Sequence, residues 1–137
     1  MLLVVFAAAT GIVSAEESPD AGDTWNTARN ITISSGYNYI YGGFTLVPAD
    51  AIDWWRDDTV TNGSTMEAFL NANALNHNVT VDTYCGDNAS QHMEHLQKGN
   101  MYRTLKKMNH SGYSIEVKAF SSDDQDYTVL IYRQRLF

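Results

Sequence analysis

The densest two-residue alternation in the chain runs from Tyr37 to Val47, YNYIYGGFTLV, where three tyrosines alternate with Asn38 and Ile40 and two glycines interrupt the run before Phe44 resumes it. Such alternation predicts a strand with the three rings leaving one face. The paired glycines predict a bulge, a bend or a tight turn. The tyrosine row reads as a core face, and its other use is a solvent-facing aromatic platform, which makes Tyr37, Tyr39 and Tyr41 candidate binding residues. Alternation returns from His77 to Tyr84, with Val79, Val81 and Thr83 on one face. Two last alternating runs, Tyr113 to Phe120 and Tyr127 to Arg133, flank the acidic segment Ser121 to Asp126 and read as a closing hairpin. Ile31 to Ser34 is a further short strand.

Between these runs the spacing changes to three and four. Pro48 stands where helices begin, and Ala49, Ile52 and Trp55 follow at helical intervals, with Asp50, Asp53 and Asp57 on the opposite, solvated stripe. Ser64 and Glu67 have capping-box spacing ahead of Met66, Phe69, Leu70 and Ala74, so a second helix is predicted over about Thr65 to Leu75. Asn88 and Gln91 form a similar pair ahead of Ala89, Met93 and Leu96. The apolar positions then shift by one residue at Gly99, predicting a kink or break before Met101, Leu105 and Met108. Strands grouped at both ends with helices between them predict an α+β sandwich: a mainly antiparallel sheet with two to three helices packed on one face.

The first fifteen residues, MLLVVFAAATGIVSA, form an apolar run closed by small residues and read as a secretory signal peptide cleaved before Glu16, although no Lys or Arg precedes the run. Residues 16–29 read as a flexible acidic lead-in, and 30–137 as one domain with a modest core. A secreted, extracellular product follows. Five Asn-X-Ser/Thr sequons, at Asn30, Asn62, Asn78, Asn88 and Asn109, agree with that compartment. They are roughly three times what chance gives for this many asparagines, and each falls at a predicted turn or element end.

The net charge of −7 argues against a nucleic-acid binder. The charge is also lopsided: before His95 only Arg29 and Arg56 stand among twelve acids, and beyond it seven cations face four acids. Arg103, Lys106 and Lys107 form the densest part of that cationic set and are candidate contacts for an anionic partner. Cys85 is the single cysteine. It is either buried as a small hydrophobe or joined to a second chain in a disulfide-linked dimer. Cys85, His92 and His95 are the one set of metal-ligand residue types close in sequence, with the histidines sharing a helix face at i, i+3. No HExxH, GxSxG, P-loop or dinucleotide fingerprint is present, and no cofactor is implied. The sequence thus predicts a secreted, N-glycosylated protein that acts by binding a cell-surface glycan or protein, as a toxin, effector or adhesion-type module. Its competitor is a metal-assisted hydrolase built on Cys85, His92 and His95.

Overall fold

The computed structural model describes residues 21–36, 38–72, 78–97, 105–120 and 124–134, and of 38–45, 71, 72 and 126 the backbone alone. The described chain is a sandwich of two sheets. Nine strands make it up: β1 (Arg29–Asn30), β2 (Asn38–Leu46), β3 (Ile52–Asp57), β4 (Thr65–Ala72), β5 (Val79–Cys85), β6 (Gln91–Gln97), β7 (Leu105–Lys107), β8 (Tyr113–Ala119) and β9 (Gln125–Arg133). One sheet has the order β1-β3-β8-β5-β6 and the other β2-β9-β4-β7. All pairs are antiparallel except β1 with β3.

The expected α+β architecture is therefore overturned. Among the described residues the helical structure is limited to two 3₁₀ turns, Trp25–Thr27 and Asp87–Ala89. Within the described residues the predicted helices are replaced by strands, most plainly where the apolar spacing also fits a period of two once both sheets are present to bury it. In β4, Met66, Ala68 and Leu70 alternate into the core while Thr65, Glu67 and Phe69 leave the other side. The helix-favouring composition of TMEAFLNA is a preference of a few tenths of a kcal/mol per residue, which tertiary burial outweighs. In β6 the same reversal turns QHMEHLQ into an edge strand with Glu94 and Leu96 buried.

The β3 reversal has chemical consequences. Asp53 and Asp57, expected on a solvated stripe, are 1% and 3% exposed and face the core with Trp55. Buried carboxylates require donors. Tyr127 Oη donates to Asp53 Oδ2 at 2.7 Å, and Trp55 Nε1 donates to Tyr127 Oη at 3.2 Å, which links β3 of one sheet to β9 of the other through the centre of the core. Asp57 accepts from the Ile33 amide at 2.7 Å and from Thr59 N and Oγ1 at 2.8 and 2.6 Å. The bond from Ile33 ties Asp57 to the segment Ile31 to Ser34, which is irregular and not the strand expected of it.

Of the other expectations, the strands are met and the closing hairpin is not. The tyrosine run is a strand, β2, and its register with β9 skips Gly43, so the glycine pair makes a bulge. Tyr39 and Tyr41 stand opposite Ile131 and Val129, both buried in the core, and Tyr37 lies outside the described residues. The alternation of Val79, Val81 and Thr83 is β5, with all three buried. The closing hairpin is not formed: β8 pairs with β3 and β5, whereas β9 pairs with β2 and β4 in the other sheet. Both strands are apolar on their inner faces, so each completes the interior of a different sheet.

At the N-terminal side Ala21 is fully buried, its carbonyl accepts from Arg29 N, and the Gly22 carbonyl accepts from Trp54 N. Gly22 has φ +79, and a Cβ there would run into the Thr27 carbonyl. Thr24 and Thr27 close a reciprocal capping box on the first 3₁₀ turn, and the Arg56 guanidinium lies 3.8 Å over the Trp25 ring.

Candidate functional site

β6 ends one sheet and β7 ends the other, which among the described residues leaves an open side between these two edges. β6 carries a bulge. Its register with β5 runs Thr83↔Glu94 and then Tyr84↔His92, leaving Met93 as the extra residue. In a regular strand His92 and His95 would leave opposite faces; the inserted residue shifts the parity and returns both to the outer face. There His92 Nε2 and His95 Nδ1 lie 2.9 and 2.8 Å from the same oxygen, Asp82 Oδ1.

Asp82 belongs to a row of register partners crossing the sheet, Trp54, Glu116, Asp82 and His95, on β3, β8, β5 and β6. Tyr84, on the next row, stacks on Trp54 with ring centroids 5.4 Å apart and meets the edge of His92 at 5.3 Å. Its phenol donates to Glu116 Oε1 at 3.4 Å. Burial foremost, then the nearby Asp82 and Glu116 charges, push the Tyr84 phenol up from 10.0 to about 12. This outer face is an interlocked polar and aromatic surface, with the two histidines about half exposed at its margin.

Cys85 does not join His92 and His95 around Asp82. It ends β5 on the core side, is 1% exposed, and its Sγ donates to Asn109 Oδ1 at 3.5 Å. The expected Cys85, His92 and His95 ligand set therefore does not converge, because strand alternation sends the thiol inward and the rings outward. Among the described residues no group of three or more His, Cys, Asp or Glu side chains is arranged to hold a metal ion. A thiol so placed also cannot reach a second chain without opening the fold, which removes the ground for a disulfide-linked dimer.

What the structure does bring together is a cleft on the open side. It encloses about 210 Å³ and is lined by Cys85, Gln91, His92, Met93, Lys106, Lys107 and Asn109. Two residue sets that looked unrelated in sequence, Cys85 with His92 and Lys106 with Lys107, thus meet at one place. Lys106 is the register partner of Met66 and so stands on the core-facing side of β7, but the strand is three residues long and at the edge. Lys106 is accordingly exposed. Lys107 pairs with Thr65 and is likewise exposed. Neither lysine has an ion-pair partner among the described residues. Arg103 lies outside them. Gln91, Met93 and Asn109 were not singled out as cleft residues by sequence; only the bulge at Met93 and the sheet order place them there.

All five sequon asparagines are exposed. Three of them crowd one end of the sandwich, where the loops are tied together by backbone bonds: Gly63 N to Met108 O at 3.0 Å, Gly112 N to Val60 O at 2.7 Å, and Gly86 N to Gly112 O at 3.1 Å. Asn62 N donates to Ser111 Oγ at 3.0 Å in the same cluster. Asn88 sits there in the left-handed region at φ 55, a conformation asparagine tolerates well.

No protein-family model matches the chain, and no curated protein matches it in sequence. Solved structures match its fold. The pre-peptidase C-terminal domain of a collagenase from Bacillus anthracis superposes with a TM-score of 0.54 at 12% identity, covering 77% of this chain and 93% of that one. PliG from Aeromonas hydrophila, a periplasmic lysozyme inhibitor of g-type lysozyme, gives 0.54 at 10% identity, covering 77% and 95%. At these identities the likeness is one of fold.

Proposed function

We propose that the protein is a secreted, N-glycosylated binding module of the inhibitor or adhesion type, which grips an acidic segment of a protein partner in the cleft between β6 and β7. The observation that carries this is the cleft itself: two lysines with no ion-pair partner among the described residues, a histidine and two side-chain amides around a space of about 210 Å³, in a chain whose net charge is −7. The space is below the roughly 300 to 1,000 Å³ of pockets that enclose a small molecule, and suits one carboxylate-bearing side chain of a larger partner. A polypeptide is favoured over a glycan because both walls are sheet edges, on which an extended segment can add backbone hydrogen bonds. The two structural neighbours support the reading by analogy only, one being an inhibitor of another protein and the other a domain attached to a protease.

The test is fluorescence anisotropy with labelled poly-glutamate as probe and a sulfated oligosaccharide as the competing class. Two exposed charge contacts of about 0.2 to 1 kcal/mol each predict that Lys106→Ala with Lys107→Ala weakens poly-glutamate binding about tenfold. Binding should also weaken between low and physiological salt. Absence of poly-glutamate binding, equal binding by the double variant, or preference for the sulfated oligosaccharide would overturn the reading.

A further inference from the structure

Asn109 is both a wall of the cleft and the acceptor of a sequon, and these two roles conflict. Its Oδ1 receives Cys85 Sγ at 3.5 Å and lies 3.0 Å from His110 Nδ1. Both bonds use the amide oxygen, which a glycosylated asparagine keeps. The atom that carries a glycan is Nδ2, and no hydrogen bond within the described protein occupies it. The residue is exposed, so the folded chain accommodates a sugar there without losing either bond.

From this we infer that N-glycosylation of Asn109 closes the cleft, so that the glycosylated and unglycosylated forms of the protein differ in their capacity to bind an acidic partner. The inference rests on the cleft reading above. A glycan rooted in the wall of a space of about 210 Å³ competes for that space with any side chain entering it. Asn88 carries its sequon on the same end of the sandwich but does not line the cleft, which makes it the internal control.

The experiment uses full-length protein secreted from a glycosylating host, with glycopeptide mapping of Asn109 and poly-glutamate anisotropy on the same samples. Two variants remove the Asn109 glycan by different routes, Asn109→Gln and Ser111→Ala, the second leaving the Cys85 bond to Asn109 in place. An amidase-type glycosidase is avoided because it converts the asparagine to an aspartate and adds a negative charge to the cleft. Both variants are expected to bind the probe at least about tenfold more tightly than the glycosylated parent, a loss of access being worth more than the roughly 1.4 kcal/mol that a tenfold change represents. Asn88→Gln is expected to leave binding unchanged. An unmodified Asn109, or a parent that binds as tightly as both variants, overturns the inference and leaves the cleft reading intact. Failure of parent and variants alike to bind poly-glutamate overturns both, since nothing is then left to close.

Discussion

Replacing Tyr127 by Phe removes a single oxygen atom from the middle of the core. That oxygen donates to the buried carboxylate of Asp53 at 2.7 Å and accepts from Trp55 Nε1 at 3.2 Å, and it is the hydrogen-bonded bridge between β9 and β3. A hydrogen bond to a charged group contributes about 1.5 to 3 kcal/mol, and weakening a neutral one adds about 1 kcal/mol, so Tyr127→Phe should lose about 2 to 4 kcal/mol. For a domain of this size each kcal/mol shifts Tm by about 3 to 6 °C, giving a drop of about 6 to 24 °C. The assay is urea unfolding by tryptophan fluorescence, run as a cycle with Asp53→Asn. The two changes share one hydrogen bond, so their coupling should be about 1 kcal/mol or larger. A Tyr127→Phe loss below about 0.5 kcal/mol, or strict additivity with Asp53→Asn, would refute the claim that this bridge stabilises the packing of the two sheets.

Three further outcomes are expected. Burial, with Glu94 nearby, raises the Tyr113 phenol, and Tyr84 is pushed up to about 12 from 10.0. Both groups are held neutral in the folded state, so the stability they contribute is fully present below pH 10.0 and is lost as pH rises toward and through the folded values; Tm measured alongside phenolate absorbance should fall from about pH 10 upward, and a flat profile there would count against their burial. Gly22→Ala should destabilise more than Gly63→Ala by about 1 kcal/mol or more in urea midpoints, because both positions have positive φ but only at Gly22 would the new Cβ meet backbone. Cys85 should react with a thiol reagent only after denaturation, and the protein should run as a monomer on a non-reducing gel; a native thiol that labels at once would contradict its 1% exposure.

The strands that sequence made legible are those whose alternation is unambiguous. Val79, Val81 and Thr83 on β5, and the β-branched and aromatic alternation of β8 and β9, belong to residue types that suit a half-buried pleat. The glycine pair on β2 marked an irregularity, read as a bulge, a bend or a tight turn, and the register with β9 makes it a bulge. The helices were misread where Met, Ala, Leu, Glu and Gln occupy strand positions, since these residues favour helix in isolation and only the facing sheet reverses the choice. Partner choice was invisible: nothing between Phe120 and Tyr127 tells that β8 and β9 part into different sheets. The site was half legible. His92 and His95 do share a face, but through the extra residue Met93 rather than a helical turn, and the carboxylate between them is Asp82 rather than the thiol of Cys85. Lys106 and Lys107 were marked by their charge, and their place beside Asn109 depends on how the two sheet edges lie.

The central claim is that the opening between β6 and β7 is the binding surface. Amide shifts of the isotope-labelled protein, followed while poly-glutamate is added, report on it residue by residue. The account predicts perturbations concentrated at Gln91, His92, Met93, Lys106, Lys107 and Asn109, with the outer rows around Trp54 and Glu116 unmoved. Perturbations centred on Trp54, Tyr84 and Glu116 with the cleft unmoved would contradict it.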